Sequence, residues 1–368
     1  MKRVTGHRKY LAYIVVILTS LLAACGAPAS QTSTGSQSAA PSASTSGVSA
    51  SAASTTSAAS AGPLTTIRLG YVPVMIFAPL FVGVERGYFK QQGLDVKLTP
   101  VQGGSDSVVQ LAAGNFDVAV GGVGAGLLNA ANRGVKFTIV APMHSERPPL
   151  TTPLVISAKR TGEIKSVQDL KGKKVAINAT GAATEYWLAQ ALAKAGLTFN
   201  DIKLTSLAFR DVPAALDSGA LDAAMLGDPL ATINKDKNIV SILSNDFING
   251  FTSTFVYMGD PILTKNPQAA AGFMRAYLKA CRDLQGNYMN QDIAKIIEKY
   301  TQVPAAEILR SAPAQYDAKG QIPLADINTL QDYFLKRGEL EYKTPIDMSK
   351  FVNTSLATQA AADLDHNP

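Results

Sequence analysis

Side chains that could carry out chemistry are few in this 368-residue chain. The cysteines are Cys25 and Cys281, and the histidines are His7, His144 and His366. An enzyme needs a nucleophile or base with an orienting partner, and no Ser-His-Asp arrangement can be assembled around these positions. Cys281 lies in the helix-like segment MRAYLKACRDLQ, where a small buried residue is expected, and His144 is expected in a loop. The sequence therefore favours binding over catalysis.

Cys25 is the residue that points to a specific reaction. It follows a basic opening, MKRVTGHRKY, and an apolar run that is short for a membrane span. The sequence LAAC resembles the lipobox of bacterial lipoproteins. This resemblance implies a signal peptide over residues 1–24 and a new N-terminal cysteine that carries acyl chains such as palmitate, anchoring the protein to the outer face of the cell membrane. A chance cysteine after an ordinary export signal is the alternative.

The segment after the cysteine has the composition of a tether. Residues 26–63 are Ser, Thr, Ala, Gly or Pro except at Gln31, Gln37 and Val48. Such a stretch has too little apolar surface to fold and should behave as a flexible coil. We therefore expect a lipidated cysteine and disordered linker over residues 25–63, followed by a folded body.

The charge of the chain does not point to nucleic acid. The formal net charge is +6, and loss of Lys2, Arg3, Arg8 and Lys9 with the signal leaves +2. A nucleic-acid partner would need a concentrated basic face, and no run of lysines or arginines is found. We expect no nucleic-acid partner, no metal and no cofactor.

The folded body alternates strand and helix patterns twice. The first round is TIRLGYV, APLFVGVERGYFKQQG, LDVKLTPV, SDSVVQLAAG and FDVAVGG, and the second is KKVAINAT, AATEYWLAQALAKAG, IKLTSLA, VPAALDSG and LDAAMLG. This rhythm predicts an α/β fold with largely parallel sheets. The segments LAAGNFDVAV (111–120) and LDSGALDAAM (216–225) place Leu, Gly and Asp at identical spacing. We expect the glycine to end a helix and the aspartate to bond backbone groups at the turn before a buried strand.

The doubled pattern predicts two lobes. We expect one lobe over residues 64–155 plus 256–368, where the C-terminal helices return, and a second over residues 156–255. PLVISAK and STFVYMGD are predicted to be the two crossover strands between them. Ligands of open parallel sheets bind at the carboxyl ends of the strands, so a cleft between the lobes is the expected site.

The body resembles the solute-binding proteins of ABC importers, in the nitrate/sulfonate/taurine and thiamine-pyrimidine group, over about Thr66 to Tyr342. The resemblance is carried by IRLGYVP, APLFVGVERGYFKQQGLDVKL, GNFDVAVGG, DLKGKKVAI and GDP in that order. It implies the type II periplasmic-binding-protein fold, a monomer that captures a small-molecule solute, and a membrane permease and ATPase as partners.

The same resemblance places the ligand-binding residues in the loops after the strands. In the first lobe they are Tyr71, Pro73, Phe77, Gly104, Ser105 and Gly122; in the second they are Asn178, Thr180, Gly181, Tyr186, Trp187 and Asp228, with Tyr257 on the return crossing. Backbone amides at two helix starts could hold an anion or a carbonyl oxygen. N-capping is the alternative role for Ser105 and Thr180, as helix packing is for Tyr186 and Trp187.

The composition of these loops indicates the solute. Anion-binding members of the group usually offer hydroxyls and a positive group, whereas the loop TGAAT has alanines and no Lys or Arg falls among the predicted residues. The five aromatic residues among them suit a flat heterocycle. We expect riboflavin or a thiamine pyrimidine precursor, with sulfonate- or nitrate-type anions as the alternative.

Two other classes of function compete with transport. A pyrimidine-synthase-like enzyme shares the fold of this group, but it uses its own histidine, pyridoxal phosphate and a cysteine-rich stretch, and this chain contains no such stretch. A surface adhesin or sensor could use the same cleft without transport.

Overall fold

Ten strands form two separate five-stranded sheets in the part of the chain that the computed structural model describes, residues 63–101 and 104–367. The predicted signal peptide and the predicted linker up to residue 62, including Cys25, lie outside these residues. Within them, no helix combines the length and apolar composition that crossing a bilayer requires.

The first sheet has the order β2-β1-β3-β10-β4. Its strands are β1 (Thr65–Tyr71), β2 (Leu94–Pro100), β3 (Val118–Gly122), β4 (Thr138–Glu146) and β10 (Phe251–Met258). β1 pairs in parallel with β2 and β3, and β10 runs antiparallel between β3 and β4. The carboxyl ends of β1, β3 and β4 therefore share one edge.

The second sheet repeats this plan in the order β7-β6-β8-β5-β9. Its strands are β5 (Leu154–Ser157), β6 (Lys174–Ile177), β7 (Lys203–Ser206), β8 (Ala223–Met225) and β9 (Val240–Ser244). β6 pairs in parallel with β7 and β8, and β5 runs antiparallel between β8 and β9. In each sheet, the antiparallel strand is the one that comes directly from the other lobe, so the predicted duplication is present in the topology.

The predicted lobe boundaries differ slightly from the sheet boundaries. All of β5 belongs to the second sheet and all of β10 to the first, so the chain crosses at residues 147–153 and 245–250. The predicted boundaries at 155/156 and 255/256 cut through both strands. The reason is that the crossover strands were expected to span the hinge, whereas each makes its hydrogen-bond ladder within one sheet.

Helices cover the sheets. They are α1 (Ala78–Glu85), α2 (Tyr88–Gln91), α3 (Gly104–Ala112), α4 (Ala125–Asn132), α5 (Ala183–Lys194), α6 (Val212–Asp217), α7 (Leu230–Asp236), α8 (Asp260–Lys265), α9 (Pro267–Asp283), α10 (Gln291–Thr301), α11 (Ala305–Ile308), α12 (Leu324–Arg337) and α13 (Ser355–His366). As expected, the helices after β10 return to the first lobe, where α9 packs on α1, α2 and β2. α12 also contacts α5 of the second lobe.

The helix expected after β1 is interrupted. Gly87 adopts a left-handed conformation with φ of 70° and separates α1 from α2. Gly83 allows the two helices to approach closely, because a Cβ there would lie 2.6 Å from the Phe89 ring. The break therefore lets Phe89 fold back against α1.

Both sheets are buried on both faces. Alternate residues of β10 enter different apolar clusters: Val256 and Met258 pack under α9, whereas Phe255 and Tyr257 pack under α12. β5 alternates in the same way between the two clusters of the second lobe. This two-sided burial is typical of parallel sheets and accounts for the near-continuous apolar strands.

The repeated connection from helix to strand, which contains Gly114 and Asp117 in the first lobe and Gly219 and Asp222 in the second, has the predicted structure in both lobes. Gly114 and Gly219 both have φ of 76°. Asp117 accepts the backbone amide of Arg68 at 2.9 Å, and Asp222 accepts that of Lys174 at 2.8 Å. Each aspartate thus ties the central strand of its sheet, which it precedes, to the neighbouring parallel strand, β1 in the first lobe and β6 in the second.

Replacing Asp222 with alanine is expected to destabilise the protein by about 2 kcal/mol, because it leaves a backbone donor of Lys174 unpaired and removes a 3.0 Å ion pair with Arg160. The midpoint of urea unfolding measures this loss. Asp217→Ala, at a side chain that is 52% exposed, is the control and should change the midpoint little. Equal effects of the two substitutions would contradict the role given to Asp222.

Candidate functional site

The loops at the carboxyl ends of the two sheets meet. Ala125, which begins α4 after β3, donates its backbone amide to the oxygen of Gly181, which follows β6, at 2.8 Å. Gly124 makes this approach possible, because a Cβ there would lie 2.4 Å from the Gly181 oxygen. Gly181 itself has φ of 72°, a conformation that favours glycine. The two walls of the expected cleft are thus in contact in this structure.

The amide of Gly181, expected to be free for a ligand, already has a partner. It donates to Oε2 of Glu185 at 2.9 Å, in the first turn of α5. The Glu185 side chain is completely buried. A negative side chain of the protein therefore occupies the position where an incoming anion was expected.

Two other predicted residues of this loop bond to neighbouring side chains. Asn178 is half-buried and its Oδ1 accepts from the hydroxyl of Thr184. Thr180 is exposed, and its hydroxyl lies 3.1 Å from that of Ser206 at the end of β7. Thr180 does not cap α5, whose N-cap residue is Ala182.

Asp228 lies at the carboxyl end of β8 and joins the second lobe to the C-terminal segment. Its Oδ1 accepts from the amide and hydroxyl of Thr232, and its Oδ2 accepts the amide of Ala312 at 3.0 Å. Burial raises the pKa of Asp228. Its hydrogen-bonding capacity is largely used within the protein.

Four of the five predicted aromatic residues are core side chains: Phe77, Trp187, Tyr257 and Tyr71. Phe77 and Trp187 are 2% and 3% exposed and lie in the apolar clusters of the first and second lobes. Tyr257 is fully buried on the α12 face, and its hydroxyl donates to the Gly121 oxygen at 3.2 Å. These positions depart from the expectation that Phe77, Trp187 and Tyr257 face a solute. Alternation along β10 directs Tyr257 inward and helical periodicity in α5 directs Trp187 inward, whereas Phe77 lies in the turn just before α1 and packs into the first-lobe core.

Tyr71 is also a core residue of the first lobe, whereas Tyr186 is only half-buried. Tyr71 is buried against the edge of Phe81, with ring centroids 5.4 Å apart. Tyr186 is half-buried and packs between Phe251 and Tyr333, at centroid distances of 5.1 and 5.2 Å. Tyr186 therefore lies where the second lobe meets the returning chain.

The remaining predicted residues lie around the same edge. Pro73 is exposed after β1, and Gly122 is half-buried at the end of β3. Gly104 and Ser105 begin α3. Ligand contact by these four stays a prediction.

Sequence reasoning missed an ionic cluster between the lobes. Oε1 of Glu185 accepts from Arg337 Nε at 2.7 Å and from the Tyr333 hydroxyl at 3.2 Å, both on α12. Glu339 follows two residues after the end of that helix. The sequence did contain a sign of this cluster. Glu185 shares the buried face of α5 with Leu188 and Leu192, and a charged side chain on a buried face needs a partner.

A second missed feature is a cavity of about 540 Å³ at the β4 edge of the first sheet. Its lining includes His144, Arg147, Thr252 and Gln285, and it contains none of the predicted site residues. His144 is not in a loop: it lies buried on β4 with Nδ1 bonded to the Thr254 hydroxyl. Among the described residues, no cluster of His, Cys, Asp and Glu is arranged to hold a metal ion.

Comparison with known proteins decides the family. Residues 75–287 match the family described as NMT1/THI5 like. The chain belongs to this family. It is 23% identical to the riboflavin-binding protein RibY of Chloroflexus aurantiacus over 278 residues, covering 74% of this chain and 73% of RibY. It is 32% identical to a putative aliphatic sulfonates-binding protein of Escherichia coli over 133 residues, covering 36% and 41%.

The solved structures confirm the predicted fold. The alkanesulfonate-binding protein SsuA from Xanthomonas axonopodis pv. citri, bound to MOPS, superimposes with a TM-score of 0.65 at 20% identity, covering 80% of this chain and 99% of that one. The two-lobed α/β architecture is therefore that of the periplasmic binding proteins. Together with the relatives, it makes this protein a solute-binding protein of a transport system rather than an enzyme.

Proposed function

We propose that this protein is the lipid-anchored, monomeric substrate-binding component of an ABC importer, and that it captures a small flat heterocycle, riboflavin or a thiamine pyrimidine precursor. The anchor would be Cys25, and the linker over residues 25–63 would hold the folded lobes on the outer face of the cell membrane. Closure of the lobes around the solute would present it to the permease, and the ATPase would drive its passage.

The charge at the meeting point of the lobes supports a neutral solute over a compact anion. The Gly181 amide is taken by Glu185, and the guanidinium of Arg337 is paired with the same carboxylate. Asp228 adds a second carboxyl group at the neighbouring strand end. A sulfonate or nitrate entering here would meet carboxylates and no unpaired cation among the predicted contacts, which is costly where water is excluded.

Three of the predicted contacts are best placed to meet a solute, because they lie beside the lobe contact and are not fully buried. Tyr186 and Asn178 are half-buried, and Thr180 is exposed. The Tyr186 ring offers a flat apolar face, and the amide and hydroxyl groups can bond the edge of a heterocycle. The name of the relative RibY is consistent with a flavin.

An aliphatic sulfonate or similar anion is the second candidate. It is favoured by the E. coli relative, whose 32% identity is higher than that of RibY although it covers a shorter stretch, and by the MOPS bound to SsuA.

Riboflavin is expected to bind with a dissociation constant of about 1 μM or lower, which corresponds to about 8 kcal/mol. The measurement is isothermal titration of protein unfolded and refolded to remove any bound solute, with riboflavin, hydroxymethylpyrimidine and ethanesulfonate compared in parallel. Mass spectrometry of solute released from the native preparation is the independent check.

Binding of ethanesulfonate together with failure of both heterocycles would overturn the proposed solute and leave the transport role intact. Absence of any small molecule, both in the native preparation and among the titrated compounds, would contradict solute capture.

A further inference from the structure

Two carboxyl groups from different lobes meet around one guanidinium. Glu185 of α5, in the second lobe, is completely buried and accepts from Arg337 at 2.7 Å. Glu339, which follows α12 in the first lobe, has its Oε1 3.6 Å from the same Arg337 Nε. The side chain of Glu339 is 16% exposed. One cation is therefore shared by two acids at a lobe–lobe contact.

The second oxygen of Glu339 lacks a donor. Oε2 is buried and has no hydrogen-bond partner among the described residues. It lies against Gly181, where a Cβ would come within 3.3 Å of it. A buried carboxylate oxygen without a donor is costly, but the same oxygen can donate if it carries a proton. Glu185, which is bonded to the same Arg337 guanidinium, is the neighbouring carboxylate that could accept that proton.

The surroundings of Glu339 favour this protonated form. Burial and the neighbouring Glu185 raise the pKa of Glu339 to about 7, and Arg337 opposes the shift. Tyr333 donates to Glu185 from α12. From α4, Asn129 donates to the backbone oxygen of Glu339, and the nearby Arg133 is paired with Glu341. The titratable groups facing Glu339 thus leave one net negative charge unless it takes up a proton.

We propose that closure of the lobes takes up a proton at the Glu185–Glu339 pair, so that the protein holds its solute more tightly at mildly acidic than at alkaline pH. The proposal rests on the proposed function, since solute capture requires closure. When the lobes separate, water reaches Glu339 and the pKa of its carboxyl group returns to the ordinary value for glutamate. A second carboxylate then repels Glu185 whenever the lobes approach at alkaline pH.

The size of the pH effect on closing follows from the difference between the Glu339 pKa in the closed form and in the open form. The pKa of Glu339 rises from an ordinary 4.5 to about 7 in the closed form. The closed form therefore binds more protons than the open form between these values, and its population falls as pH rises through that range. Between pH 6 and pH 8 the closing equilibrium should fall by about tenfold, and the affinity for solute should fall with it.

The first test compares riboflavin affinity of the detergent-solubilised full chain at pH 6 and pH 8. Wild type should bind about tenfold more weakly at pH 8, whereas Glu339→Gln, which mimics the protonated group, should show little change. Glu341→Gln is the matched control, because Glu341 is exposed and lies two residues away; it should retain the wild-type pH dependence. The same pH profile in wild type and Glu339→Gln would overturn the proposal.

The second test needs no solute. The lobes are in contact in the solute-free structure, so protonation of Glu339 also stabilises this folded form. The melting temperature of wild type should therefore fall between pH 6 and pH 8 by up to about 3 °C more than that of Glu339→Gln. If riboflavin fails to bind at either pH, the proposed solute is wrong, and the melting profiles alone decide the proton uptake. Identical melting profiles would then overturn it.

Discussion

Alanine in place of Gly124 is expected to weaken solute capture by at least about tenfold while leaving the free protein folded. The added Cβ would lie 2.4 Å from the backbone oxygen of Gly181 and 3.5 Å from its carbonyl carbon, both in the facing lobe. A backbone atom cannot move aside as a flexible side chain can, so the loops must separate and the 2.8 Å bond from Ala125 to Gly181 is lost. A tenfold loss of affinity corresponds to about 1.4 kcal/mol.

The measurement is solute affinity by titration, combined with the melting temperature of the solute-free protein. Gly162→Ala is the matched control, because a Cβ at Gly162 would have no neighbour within 4 Å. It should leave the affinity unchanged. The three nearest atoms to the Gly124 Cβ all belong to the second lobe, so the variant should fold normally with its lobes apart. Unchanged affinity in Gly124→Ala would mean that capture does not use this lobe contact.

Alanine in place of Cys25 is expected to release nearly all of the protein from the membrane fraction. The predicted lipobox needs the thiol, because the acyl-bearing group is attached through its sulfur. Each buried methylene contributes about 0.8 kcal/mol to membrane binding, so loss of several acyl chains removes the anchor entirely. No helix in the described part of the chain offers a second means of spanning the bilayer.

Fractionation of expressing cells, followed by mass measurement of the mature N-terminus, tests this expectation. Cys281→Ala is the control, since Cys281 is 1% exposed on the buried face of α9. Its removal should leave the protein in the membrane fraction. Retention of Cys25→Ala at the membrane would show that another segment anchors the chain and would refute lipidation as the basis of attachment.

Much of the fold was predictable from short-range patterns. The strand and helix order was read from hydrophobic periodicity, which records which faces become buried. The joint formed by Gly114 and Asp117, repeated at Gly219 and Asp222, was predictable because a positive φ and a turn-capping carboxylate are local requirements. The break at Gly87 was missed, since the helical pattern continues on both sides of it.

The site was less predictable than the fold. The loops after β3 and β6 do meet between the lobes, as expected, because strand ends in parallel sheets converge on one edge. The directions in which the side chains point were not predicted correctly. Trp187 and Tyr257 turn into cores, and Glu185 takes the amide of Gly181. Residue type alone does not distinguish an aromatic side chain that packs from one that waits for a solute.

The amino-acid sequence by itself determined the duplicated α/β architecture, since alternation of buried strands and amphipathic helices depends on neighbours a few residues apart. It also determined the expectation of a lipid anchor at Cys25. Only the tertiary structure decided which groups meet between the lobes. Arg337 and Glu185 are 152 residues apart in the chain, and their contact with Glu339 arises because the C-terminal helices return across the cleft. In our proposal, burial of Glu339 in that contact, rather than its residue type, sets whether its carboxyl group is charged when the lobes are closed.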